Sequence, residues 1–122
     1  MANRFLNQFI LSMRKGHVVE SGSFSIASNA SVSSFDFSDL VQSVSRTALG
    51  EYTITLKDKW VGLLSIQCTM QTGDGYHAEV KSADVTSAKT IVINTVNLTA
   101  IDDVLSASKV FVTISLKNST AR

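Results

Sequence analysis

Residues 43–60 read Ser-Val-Ser-Arg-Thr-Ala-Leu-Gly-Glu-Tyr-Thr-Ile-Thr-Leu-Lys-Asp-Lys-Trp, and this stretch decides the fold class. Tyr52, Ile54 and Leu56 alternate with Thr53 and Thr55. Successive side chains of a strand point to opposite faces, so this pattern gives one apolar and one hydroxyl face. Ala48-Leu49-Gly50-Glu51 supplies turn chemistry before it, and Val41 to Thr47 forms a weaker strand on the far side of that turn. Asp58 and Lys59 mark a corner after it.

The same period of two continues in both directions. Upstream it runs through Val18, Phe24 and Ile26, and residues 28–38 read as a loop or edge strand carrying Val32, Phe35 and Phe37. Downstream, Leu64, Ile66, Cys68 and Met70 share one face of a strand that begins at Trp60. Thr72-Gly73-Asp74-Gly75 then has hairpin turn chemistry. Tyr76, Ala78 and Val80 alternate with His77, Glu79 and Lys81; 86–89 is a turn, and 90–98 is rich in β-branched residues. Thr99-Ala100-Ile101-Asp102 has the spacing of a helix cap, which predicts a helical turn or loop over 100–107. Val110, Val112, Ile114 and Leu116 form the last strand. Seven or eight short strands at this spacing predict a mainly β fold: a single antiparallel β-sandwich, jelly-roll-like, over 17–122.

Only residues 1–16 break the pattern. Phe5, Leu6, Phe9, Ile10 and Met13 fall at helical spacing, with Asn3 to cap the start and Gly16 to stop it. A helix this short is marginal alone in water, so its apolar stripe needs cover. Two readings follow: the stripe packs on its own domain, or these five residues are the partner-binding surface of an N-terminal arm.

Composition narrows the function classes. The chain has 122 residues, 44% hydrophobic, which is enough for one core. Only 17% is charged and the net charge is +1, so no dominant polyanion-binding surface is expected and no nucleic-acid partner. The 18 Ser and 11 Thr make much of the polar surface hydroxyl. Cys68 has no partner for an internal disulfide, which fits assembly in a reducing cytoplasm. No apolar run is long enough for a membrane span, and the short run at Phe9 to Leu11, followed by Arg14 and Lys15, is not a signal peptide.

Catalytic and metal chemistry find little to work with. His17, His77 and Cys68 have no metal-ligand spacing, and Cys68 on an apolar strand face reads as an inert thiol. His77 and Glu79 share a strand face and read as solvated. Asp102-Asp103 reads as a helix cap or solvated pair without calcium-loop spacing. No phosphate-binding glycine loop or nucleophile elbow occurs. Sequons at Asn29, Asn97 and Asn118 matter only in a secreted chain. The expectation is a protein that is not an enzyme, with no catalytic residues, no cofactor and no metal. Trp60 and Tyr76, beside corners or turns, are the possible interface or ligand aromatics.

A resemblance adds to this reading. Asn3-Arg4-Phe5-Leu6-Asn7-Gln8-Phe9-Ile10-Leu11-Ser12 is similar to the start of a group of small tailed-bacteriophage virion proteins, where a short Arg-Phe-Leu helix leads into a β domain. Ser43 to Thr47, then Gly50 to Trp60, looks like their central signature, Ser-Arg-x-x-x-Gly-x-Tyr-Thr-Val-Thr-Leu-x-Asp. The Gly-x-Tyr-Thr-x-x-Leu strand also resembles the jelly roll of the complement and tumour-necrosis-factor type. The resemblance covers roughly 3–16 and 43–66, and 71–122 carries no such motif. It implies a non-enzymatic structural protein of the virion, assembled in the host cytoplasm. The first reading is a capsid decoration (cement) protein that binds the major capsid protein or other virion proteins as a homotrimer. A head or tail fibre or spike subunit, and a carbohydrate- or receptor-binding module, are the alternatives.

Overall fold

The computed structural model describes residues 17–37, 39–72 and 75–117. The N-terminal helix expected from Phe5, Leu6, Phe9, Ile10 and Met13 lies outside the described residues. Nine strands follow in order: β1 (His17–Ile26), β2 (Val32–Asp36), β3 (Val41–Ala48), β4 (Glu51–Leu56), β5 (Gly62–Gln71), β6 (Tyr76–Asp84), β7 (Thr90–Asn97), β8 (Ala100–Ile101) and β9 (Ser108–Lys117). They build two antiparallel sheets. The first has the order β2-β1-β9-β5; the second has β3-β4-β7-β6, with the two-residue β8 added to β7.

The two sheets face each other as a sandwich because each has one apolar face. In the first, Phe24, Ile26, Val110, Val112, Ile114 and Leu116 are buried; in the second, Tyr52, Ile54, Leu56, Ile91 and Ile93 are. Burying these side chains removes apolar surface from water, which is the main force holding the layers together. The first and last strands pair along their whole length, from His17 opposite Lys117 to Ile26 opposite Ser108. The connections β2–β3, β4–β5, β5–β6 and β8–β9 each change sheet. The expected single antiparallel β-sandwich is therefore what the chain forms.

Three local expectations are corrected. Thr72 to Gly75 does not close a hairpin: β5 pairs with β9 and β6 with β7, so this segment carries the chain between sheets, and Gly73 and Asp74 lie outside the described residues. Turn-forming residues specify a reversal, not the strand found beyond it. Of the helical turn or loop expected over 100–107, the helical turn does not form and Thr99 to Asp102 caps no helix; Leu98-Thr99 turns β7 into β8, and the loop alternative holds over 102–107. Leu64 does not share the face of Ile66, Cys68 and Met70. A β-bulge sets Leu63 opposite Leu116 and Ser65 opposite Ser115, so Leu63 packs inward and Leu64 stays 48% exposed. One extra residue shifts the period of two, which alternation alone cannot reveal.

One glycine is fixed by packing. Gly22 faces inward opposite Val112, and a Cβ there would collide with the ring of Phe37. The aromatic ring thus fills the place that a side chain on β1 would take.

The bulge has a measurable consequence. Ile54→Ala is expected to cost about 2–5 kcal/mol of stability by opening a cavity in the core. Leu64→Ala should cost much less than Ile54→Ala, because Leu64 points away from the core between the sheets. Denaturant unfolding of both variants checks the register: a large loss at Leu64 would place it in the core.

Candidate assembly surface

The two ends of the sandwich differ. At one end lie His17 and Lys117, where β1 begins and β9 finishes, with the connections through Asp39, through Lys57, Asp58 and Lys59, and through Lys89. At the other end lie the turns at 27–31, 49–50 and 98–99 and the loop at 102–107. This second end, the tip, exposes Leu49, Ile101, Leu98 at 84% and Leu105 at 75%. Exposed large aliphatic side chains grouped on neighbouring loops mark interaction surfaces more often than scattered ones do.

A polar clamp holds those loops. Arg46, near the end of β3, donates from Nε and Nη2 to the two carboxylate oxygens of Asp103, at 3.1 and 2.7 Å. Asp103 Oδ1 also accepts from the backbone N–H of Gly50 at 2.7 Å. Thr95, fully buried, donates its N–H to the Gly50 carbonyl at 2.8 Å and its hydroxyl to the Asp102 carbonyl at 2.5 Å. The Asp102 N–H returns to the Thr95 carbonyl at 3.1 Å. Gly50 sits at φ 63, and a Cβ there would lie 2.6 Å from the Asp102 carbonyl oxygen. Only glycine fits both the left-handed backbone and the close approach.

Tyr52 extends the clamp to the other sheet. Its hydroxyl donates to the Ala30 carbonyl at 2.7 Å, in the turn between β1 and β2, and its ring lies 5.6 Å from that of Phe24. Burial, with the nearby Asp103 charge, pushes the Tyr52 pKa up to about 12, so it remains a donor at all ordinary pH values. The guanidinium of Arg46 in turn holds the Asp103 carboxyl below its ordinary value, aided by the Gly50 N–H.

Leu98 is one of three described non-glycine residues on left-handed backbone, with Ala30 and Lys89, and the only leucine among them. It occupies φ 59, a conformation for which Gly or Asn is the ordinary choice. A bulky side chain here costs of order 1–3 kcal/mol. The turn thus holds its most exposed apolar side chain on unfavourable backbone.

The structure also places the other residues singled out from the sequence. Tyr76 is buried, which corrects its reading as an interface or ligand aromatic. Trp60 is partly buried against the core, its N–H bonded to the Val85 carbonyl at 2.8 Å. Its indole Nε1 is buried without a hydrogen-bond partner. His77 and Glu79 do share an exposed face, with Nε2 and Oε1 3.1 Å apart. Cys68 is half-buried, and burial raises its pKa, in keeping with an unreactive thiol. Among the described residues no group of three or more His, Cys, Asp and Glu could hold a metal. Asp103 was read as a cap or solvated pair and is instead the centre of the clamp; its partner Arg46 is 57 positions away, and no local signal links them. No family model, curated protein or solved structure matches this chain.

Two outcomes follow for the clamp. Gly50→Ala is expected to cost about 2 kcal/mol or more, from left-handed backbone strain plus the collision with Asp102; thermal unfolding measures it. Asp103 has a lowered folded-state pKa, so its stabilisation is present above the unfolded value near 3.9 and is lost as pH falls through the folded value. Asp103→Asn should therefore melt below the parent at pH 7, with the gap closing below about pH 4. A gap independent of pH would assign the loss to something other than the carboxylate.

Proposed function

We propose that this protein is a non-enzymatic structural subunit of a tailed-phage virion, a capsid decoration protein that assembles as a homotrimer on the head surface. The observation that carries the reading is the tip: four exposed aliphatic side chains on loops held in place by a polar clamp, a partly exposed Arg46–Asp103 ion pair over the buried Thr95. Leu98 on strained backbone supports it further, because strain is retained where a position serves something other than the stability of the isolated subunit. The phage-like signature supports it from the sequence side. Arg46, Gly50 and Tyr52, three of its residues, take part in the clamp and its extension, with Asp103, Thr95 and Ala30 supplied from elsewhere in the chain. In this reading the signature specifies the shape of the contact surface, and the partners are sister subunits and the major capsid protein. The carbohydrate-binding alternative is set aside because Tyr76 is buried and Trp60 packs on the core, so neither offers an open ring for a sugar.

Light scattering coupled to size exclusion tests the assembly. The full chain is expected at three times the 13.2 kDa subunit. Leu98→Asn should give the single-subunit mass while its melting temperature holds or rises, since Asn accepts the left-handed backbone better than Leu. A monomeric parent overturns the homotrimer, and a trimeric Leu98→Asn removes the tip from the interface. Mass spectrometry of purified phage particles from the source host tests the virion assignment; absence of the chain from them overturns it.

A further inference from the structure

The two outer faces of the sandwich differ in charge. On the β3-β4-β7-β6 sheet, Lys81 reaches from β6 across β7 to Glu51 on β4, at 2.9 Å, and His77 pairs with Glu79 beside it. That face satisfies its charges with its own residues, and covering it would strip water from the Lys81–Glu51 ion pair and from the Glu79 carboxylate. The outer face of the β2-β1-β9-β5 sheet is different. Its centre carries Ser21, Gln67, Thr69, Phe111 and Thr113, which line a shallow depression of about 240 Å³ and include no charged side chain. Ser21 and Thr113 bond to each other at 3.2 Å. Three large apolar side chains stay exposed on or beside this face: Phe111, Val19 and, at the β5 bulge, Leu64.

We infer that residues 3–15 of the same chain dock on this face, with Phe5, Leu6, Phe9, Ile10 and Met13 covering Val19, Leu64 and Phe111. Two observations fix the occupant. The first is where the chain enters the sheet. Residues 1–16 lead directly into His17, which pairs with Lys117 in the middle of this same sheet, one step from Val19. The second is length. Val19 and Ser23, the β1 residue opposite Phe111, are four residues apart, about 13 Å along a strand. A helix over 3–15, as the spacing of its apolar residues predicts, is about 20 Å long, enough to span that distance. Gly16 leaves room for the reversal between helix and strand. The segment also matches the face in chemistry: an apolar stripe meets hydroxyls, amides and exposed apolar side chains, and the one charge beside Phe111, the Lys109 ammonium 5.6 Å from its ring centre, lies at the tip end of the face.

This inference chooses the own-domain reading of the N-terminal segment and stands apart from the proposed function, whose contact is the tip at the opposite end. Backbone amide NMR of the full chain tests it by comparing the parent with Phe9→Ser. Shift changes are expected at Val19, Leu64, Phe111 and Thr113, and the same changes should persist on tenfold dilution. Thr113→Lys, which adds a charge to the covered face, should produce overlapping changes in residues 3–15. Changes centred on Leu98, Ile101 and Leu105, or on Thr53 and Glu79 of the other outer face, would overturn the docking site. Changes that vanish on dilution would assign the segment to a neighbouring copy and overturn the same-chain docking. No change outside residues 1–16 would overturn both.

Discussion

The bidentate contact between Arg46 and Asp103, with the Gly50 N–H on the same carboxylate, is the constraint on which the tip depends. Charge-assisted bonds of this fork geometry fix orientation as well as distance. They tie the turn between β3 and β4 to the loop before β9, two segments that share no strand pairing. Thr95 completes the arrangement from below, since its backbone and hydroxyl serve Gly50 and Asp102 together. Tyr52 then anchors the same region to the turn at Ala30 in the opposite sheet. Loops that would otherwise move independently are held as one surface.

In the proposed assembly, that rigidity has a thermodynamic use. A contact made by loops loses affinity when they must be ordered on binding, and a surface ordered in advance avoids that cost. The aliphatic side chains of the tip gain from it directly, because they lie on the clamped segments: Leu49 beside Gly50, Leu98 and Ile101 on either side of the β7–β8 turn, and Leu105 two residues after Asp103. The opposite end carries Lys57, Asp58, Lys59 and Lys89 in its connections and both ends of the described chain. The two ends thus differ: exposed aliphatic side chains are grouped at the tip around the Arg46–Asp103 pair, and lysines are concentrated in the connections at the other end.

Much of the fold is written locally. Tyr52, Ile54 and Leu56 alternate cleanly because β4 lies between β3 and β7 with one face on the core. Val110 to Leu116 alternate for the same reason in β9, between β1 and β5. Where the alternation misleads, as at Leu64, a bulge has inserted a residue whose only sign is the partner strand's register. Thr72 to Gly75 mislead differently: their composition permits a turn, but whether it joins neighbours in one sheet or crosses to the other is settled by β9 and β7, which compete for β5 and β6. The candidate surface is less legible still. Leu98 and Leu105 look like unremarkable loop residues until the fold leaves them uncovered.

The sequence by itself determined the class of this protein: period-two alternation, scarce charge and abundant hydroxyls lead to a β-sandwich, because each strand has one face to bury. It also held Arg46, Gly50 and Tyr52, three of the residues that take part in the clamp and its extension, within one short segment. Only the tertiary structure decided what they do. Asp103, Thr95 and Ala30 come from distant parts of the chain, and the pairing of a charge, a buried hydroxyl and a carbonyl with them depends on two sheets stacking in one register. Periodicity reports which face of a strand is buried; it carries no information about which distant group will lie opposite.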